Sequence, residues 1–457
     1  MNISLLQNHD IFSNSLLISF IGFLTIFFFL IFGRKFKLAV QLERFGLPIA
    51  VISGIAGISI GPYGLIHVLS KETTNVWSNF PTPLLSLVFA TLMMGRPIPN
   101  VNGLLKPIVN QIFLALSLGF GQFFVGGLVV KYLLSPSMDV NPLMGCLIEV
   151  GFEGGHGAAS IIGESFNRLG FSEGLDLGLA MATMGLLSSS LLGSVFIFLG
   201  RSLRITDTEE IFDKKDNLNS NKNIEIFSDL KIFLINLGFV GLAILFGVFL
   251  LKFLRYISTF FGDFSREIIF SLPVFPLILI GSLLIRYILE KTKNTDFISN
   301  ILQREIGILS TDLLIFTAMA SLDIATVFEN WILIFLLTTF GLFWNLICIA
   351  YFAYFIFDDY WFEKSLIEFG NSTGVVASGL LLLRLADPKN VSKTLPIFTS
   401  KQLFAQLILS GGFFTVLAPL IISKIGLDYW TDICAFITFL IIFVAFIFNK
   451  RFSASYQ

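Results

Sequence analysis

The sequence predicts an all-α polytopic membrane protein: two inverted five-helix repeats, each with a re-entrant Gly-rich loop, followed by an extra C-terminal helix. Three observations carry this expectation. Hydrophobic residues make up 55% of the 457 positions and charged ones only 13%, with a mean hydropathy of +0.84. That is about half the charge density of an ordinary water-facing chain, so much of the surface must face lipid. Apolar runs long enough to cross a hydrocarbon core of about 30 Å recur from end to end. A single long hydrophilic stretch, Arg201 to Lys231, divides the chain near its middle.

Taken in order, the apolar runs of the first half fall near Ser15–Phe32, Leu47–Ile66, Pro83–Met94, Ile108–Val130 and Leu175–Leu199. The first run lacks a basic leader and is followed by Arg34, Lys35 and Lys37, so it reads as a retained span rather than a signal peptide. The second half offers Ile232–Leu251, Ile268–Ile285, Ile306–Ile324, Ile332–Phe357 and Leu395–Ile422, and then an eleventh run, Tyr429–Phe448. The expected organisation is a first repeat over 1–200, a cytoplasmic linker over 201–231, a second repeat over 232–423 and an additional span and tail over 424–457.

Two apolar segments remain, Leu143–Ile162 and Leu366–Leu383, each just before the last main span of its half. Short cytoplasmic loops are enriched in Lys and Arg. With these segments re-entrant and the N-terminus outside, most of the 30 basic residues fall on the cytoplasmic side. Five spans per half is an odd number, so the second half must insert upside down, an arrangement common among secondary transporters. Short internal matches point the same way. Phe152–Gly157 can be laid on Phe369–Gly374, and Leu85–Leu92 on Leu313–Ala320.

The candidate site lies in the two broken segments. Gly151 to Gly157 holds four glycines in seven residues, poor helix material. Unwound backbone between half-helices offers N–H groups to a carboxylate and carbonyls to a cation. Glu149, Glu153, Gly154, Gly155, His156 and Gly157 are the candidates there, because ionisable groups at membrane depth usually line a pathway. The second segment contributes Glu368, Gly370, Asn371, Ser372, Thr373 and Gly374, and Gln402 follows on the next span. The bland alternatives are close helix packing for the glycines, a packed neutral imidazole for His156, and pairing of Glu149 and Glu153 with Arg168. Lys401 reads either as an ion-pair partner or as a side chain snorkelling to a helix end. Cys146, Cys348 and Cys434 are scattered and odd in number, which argues against a disulfide framework. No metal-ligand spacing occurs and no nucleic-acid partner is expected.

Gly154-Gly155-His156-Gly157-Ala158, followed by a span containing Ala180 to Leu186, resembles the bacterial sodium/glutamate symporter family. Gly33-Arg34-Lys35, Pro48 and Pro142 to Gly145 are similar to it as well. The resemblance implies sodium-coupled uptake of glutamate or a related small amino or organic acid, with Na+ as coupling ion and no cofactor. It also implies a homodimer in the inner (plasma) membrane, re-entrant loops, and an elevator-like motion. Glu149, Glu153 and Glu368 depart from the family pattern, and extra carboxylates disfavour an anionic substrate unless they are protonated or neutralised by bound cations. A cation/proton antiporter, or a proton-coupled carrier of another substrate, stays open as the alternative.

Overall fold

The structure, a computed structural model, describes residues 49–60, 77, 79–95, 103–203, 205, 230–260, 262, 266, 269–270, 272–388 and 391–454. The expected first span, Pro48 and most of the central hydrophilic stretch lie outside the described residues. Every described element is helical. The first half gives α1 (Ile49–Ile60), α2 (Pro81–Met94), α3 (Leu105–Leu134), α4 (Leu147–Phe152), α5 (Gly155–Arg168) and α6 (Gly174–Ser202). The second gives α7 (Leu230–Ser258), α8 (Phe275–Lys291), α9 (Asn300–Ala320), α10 (Ile324–Glu329), α11 (Trp331–Ile356), α12 (Trp361–Ala386), α13 (Thr394–Ile408), α14 (Phe413–Ile425) and α15 (Leu427–Ala454). Among the described residues, seven helical stretches are long and apolar enough to cross a bilayer.

Local chemistry explains where the helices depart from the apolar runs. The run expected from Ile268 is helical at Ile269 and Phe270, is interrupted over Leu272–Val274, and resumes as α8 at Phe275, with Pro276 in the first turn, where a missing N–H leaves no bond unmade. The run expected to end at Ile324 stops at Ala320, and Asp323 caps the separate α10 by accepting from Ala325 N at 3.0 Å. The expected tenth span, Leu395–Ile422, is not continuous: it breaks between Ile408 and Phe413 into α13 and α14. Helices α3 and α11 share a further feature. Each passes into a π-helical turn near its C-terminal end, Val130–Leu134 and Cys348–Phe352.

The helices pack as two bodies. In one, α1, α2, α7, α8 and α9 meet through small residues: a Cβ on Gly54 would lie 2.7 Å from Met319 Cβ, and one on Gly57 2.8 Å from Ala320 Cβ. Buried Arg286 ties this body at one end, donating to Met94 O at 3.3 Å and to Asn300 Oδ1 at 2.9 Å. The other body is arranged around α3. Two-thirds (67%) of the apolar window of α3 is buried, against 28% for α7 and 22% for α15, which turn most of their surface outward. Glycines on α3 let Trp344, Thr431 and the backbone of Gly145 come against it. Phe123 and Trp430 stack edge to face at 5.4 Å, seating α15 on α3.

Candidate functional site between two helical hairpins

The first broken segment opens with Asn141, whose side chain accepts from Leu143 N at 3.0 Å and starts a 3-10 turn over Pro142–Cys146. Helix α4 runs on to Phe152, and the chain turns at Gly155, whose φ is +66°. Only glycine adopts that conformation readily. A Cβ on Gly178 of α6 would touch both Ala159 and Leu147, at 3.2 and 4.0 Å from their nearest side-chain atoms. Twelve residues of straight helix would separate those two by about 18 Å. The segment is therefore a hairpin, with α4 and α5 lying side by side along α6.

The second segment folds in the same way. Within α12 the backbone leaves helical geometry at Gly374 and Val375, the latter at φ +64°, ψ 172°. A Cβ on Gly370 would lie 2.5 Å from Gly379 Cα, where nine residues of straight helix would put about 13.5 Å between them. Leu147 and Ala159 flank Gly155 in the register with which Ile367 and Gly379 flank Val375. This common register sets Gly154 opposite Gly374, three residues away from the pairing of Gly157 with Gly374 that the residue types suggest. The two turns touch each other, since a Cβ on Gly155 would collide with Val375 Cγ1.

The first arm of the second hairpin is held by buried polar side chains. Lys401 Nζ of α13 donates to Glu368 Oε1 at 2.6 Å, with both side chains fully buried. Gln111 of α3 donates to Glu368 Oε2 at 2.8 Å, and Gln402 to Asn371 Oδ1 at 3.2 Å. Gln122 donates to Ser372 O at 2.7 Å, while Asn345 donates to Thr373 Oγ1 at 3.0 Å.

A third interruption meets the first hairpin. Between α13 and α14 the backbone takes positive φ at Ser410 (62°) and Gly411 (83°). Ser410 N donates to Glu149 Oε1 at 3.1 Å, and Thr415 Oγ1 donates to the same oxygen at 2.6 Å. Ser410 Oγ lies 3.1 Å from Glu153 O and 3.3 Å from Glu153 Oε1.

A cavity of about 260 Å³ opens where the turns meet. Glu153, Gly154, Gly155, His156 and Gly157 line it from the first hairpin, and Gly374 and Val375 from the second. Gln406 and Ser410 reach it from the broken span. Its far wall belongs to the other body, through α2 and α9, and is mainly apolar apart from Thr91, Gln303, Arg304, Thr311 and Asp312. Arg304 is more than half exposed and lies 3.9 Å from Glu305. His156 Nε2 is 3.1 Å from Thr183 Oγ1, and Thr183 donates its own hydrogen to Leu179 O. His156 therefore donates from Nε2.

Residues 17–359, well over half the chain, match the family model described as sodium/glutamate symporter. The chain belongs to the sodium/glutamate symporter family. No curated protein matches it. The family is one of transporters, not enzymes, so a small-molecule substrate and a lipid environment follow for this symporter-family chain. The match ends just before the second hairpin, so the placement of Glu368 to Gly374 rests on the structure alone.

Not all the residues singled out from the sequence meet in the symporter cavity. Glu153, Gly154, Gly155, His156, Gly157 and Gly374 line it, whereas Glu149, Glu368, Gly370, Asn371, Ser372, Thr373 and Gln402 lie behind it. Arg168 takes no part in holding Glu149 or Glu153; it pairs with Glu164 at 3.6 Å. Lys401 does not reach a helix end and is spent on Glu368. Sequence reasoning missed Ser410 and Thr415. Their signal was the Ser410-Gly411-Gly412 triplet inside an apolar run, the same kind of interruption that marked the first hairpin.

Proposed function

We propose that this protein is a secondary active transporter that couples the sodium gradient to symport of a small amino or organic acid. The observation that carries the proposal is the meeting of two helical hairpins, tip to tip, at a cavity between two packed bodies. The hairpin turns leave the N-terminal ends of the second arms at the cavity, where backbone N–H groups and the helix dipole favour a carboxylate. At about 260 Å³ the cavity is smaller than the range of about 300–1,000 Å³ usual for drug-sized ligands, which suits a metabolite of amino-acid size.

Like elements in the two halves support an inverted repeat as part of this reading. In each half a long helix ending in a π-helical turn precedes a hairpin, and the hairpins share one register about their positive-φ residues. On this reading the hairpins are re-entrant, entering and leaving the membrane on one side, and the repeats occupy 1–200 and 232–423. The N-terminus then lies outside and the 201–231 stretch in the cytoplasm, in a plasma membrane. The family suggests glutamate as cargo and a homodimer as the working unit, with one body sliding past the other as an elevator. The wall tempers the choice of glutamate: Glu153 and Asp312 face the cavity, and the one Lys or Arg lining it among the described residues, Arg304, is open to solvent. A second carboxylate on the substrate would meet little positive charge there.

The test is uptake into proteoliposomes under an inward sodium gradient, with a panel of labelled amino acids and dicarboxylates. Sodium-dependent accumulation of one member is the expected result; accumulation of none, in correctly inserted protein, rejects symport. The second reading, cation/proton exchange without organic cargo, is favoured by the two carboxylates gathered at Ser410, and sodium-driven proton movement in substrate-free vesicles would establish it.

A further inference from the structure

Glu149 and Glu153 lie one turn apart at the end of α4, with 0% and 2% of their surfaces exposed. The Oε1 atom of each is engaged by Ser410 or Thr415, but Oε2 of each is buried with no hydrogen-bond partner. Two donor-less carboxylate oxygens so close together and out of water are costly unless a positive charge accompanies them. Lys401, the fully buried cation among the described residues that neighbours this region, is already committed to Glu368 and Gln402, at 2.6 and 2.7 Å.

The surroundings fit a small cation. The chain ends of α4 and α13 both run into this spot, and helix C-termini carry carbonyl oxygens and the negative end of the dipole. The hydroxyl oxygens of Ser410 and Thr415 stand beside the carboxylates, giving a hard oxygen set of the kind that takes alkali and alkaline-earth ions. Gly119 of α3 clears the approach from behind, since a Cβ there would sit 2.8 Å from Glu153 Oε2.

We propose that Glu149 and Glu153, with Ser410 and Thr415, form the binding site for the coupling sodium ion. The site rests on the symport reading for its ion, yet it makes its own claim: the ion is held between the first hairpin and the break in the last broken span, at the edge of the substrate cavity, with Glu153 and Ser410 on the cavity wall and Glu149 and Thr415 behind them. Binding there would pin α14 to α4, so the ion would order the turn that also carries Ser410 into the cavity.

The experiment is a thermal-unfolding titration of purified full-length protein with NaCl against choline chloride at constant ionic strength, repeated with KCl and CaCl2. The wild type should show a saturable rise in unfolding midpoint with sodium. Glu149→Gln and Glu153→Gln should each raise the half-saturating sodium concentration by about tenfold or more, the equivalent of one lost charged ligand. Glu164→Gln, exposed on α5, should leave it unchanged. If a Gln variant does not fold, Glu149→Asp keeps the charge and should still respond to sodium, at higher concentration. A wild-type response that potassium, calcium or choline reproduces overturns the site, and so does wild-type half-saturation in both Gln variants. Sodium-driven uptake that persists in both Gln variants overturns the site and leaves symport standing. Saturable, Glu149-dependent sodium binding with no uptake of any substrate upholds the site and rejects symport.

Discussion

Lys401 and Glu368 show how a charge pair can be necessary without being stabilising. Both side chains are fully buried, so the desolvation cost of the two ions offsets much of their attraction. Removing one partner is different, because the other charge stays behind in the interior. Lys401→Met should destabilise the protein by about 3–5 kcal/mol, while the double variant with Glu368→Gln should recover most of that loss. Detergent-solubilised unfolding of the four proteins of the cycle measures it; a double variant no better than Lys401→Met would mean that Gln111 and Asn371 depend on the carboxylate itself. Val375 poses the opposite question. A β-branched residue at φ +64° occupies a region that glycine tolerates and others enter at about 1–3 kcal/mol. Val375→Gly should raise the unfolding midpoint through relief of that strain; a fall would show that the contact of its side chain with Gly155 outweighs the strain.

At the scale of elements, the hairpins depend on residues that leave room. Gly155 has positive φ and no space for a Cβ, so Gly155→Val should abolish uptake while the protein still inserts and remains monodisperse. Gly185 of α6 passes between the hairpins, where a Cβ would meet the Thr373 carbonyl and lie 2.7 Å from Phe152. Gly185→Leu should therefore separate the two tips and have the same effect, judged by uptake against surface expression. The first hairpin was legible because its turn is made of glycines and its arms carry charge in an apolar setting. The second was legible as a broken segment but not in its register, because the residue that turns is a valine, which residue preferences place in a strand or helix. The break at Ser410 escaped notice for a different reason: α13 and α14 are apolar enough on both sides to average it away. The π-helical turns in α3 and α11 leave no mark in composition, since they follow from packing that only the folded chain supplies.

For the whole molecule, the cavity wall is shared by two bodies that are held together across it mainly by apolar contact. A Cβ on Gly157 would lie 2.9 Å from Leu85 Cδ1 and 3.4 Å from Leu314 Cδ1. If transport moves one body along the other, this contact must be broken in every cycle. A disulfide between Leu85→Cys and Gly157→Cys should form under mild oxidation and block uptake, and reduction should restore it. The native cysteines do not confuse the assay, because Cys146, Cys348 and Cys434 are all buried. Uptake undiminished in fully cross-linked protein would rule out relative sliding at this surface.

The bonds to Glu149 also bear on how the chain is made. Its partners Ser410 and Thr415 lie 261 and 266 positions further along. At about 5–20 residues per second, a ribosome needs roughly a quarter of a minute to a minute to reach them. Through that interval the first hairpin is already synthesised, with two carboxylates and nothing yet to receive them. Burying α4 and α5 in lipid in this state costs several kcal/mol for the two unaccompanied carboxylates, so the nascent chain is expected to wait at the insertion machinery or in contact with water. Chains ending just before Ser410 should be destroyed by the quality-control proteases of the membrane. The same truncation carrying Glu149→Gln and Glu153→Gln should survive longer. The order of synthesis thus makes the last broken span the piece that licenses the first hairpin to settle.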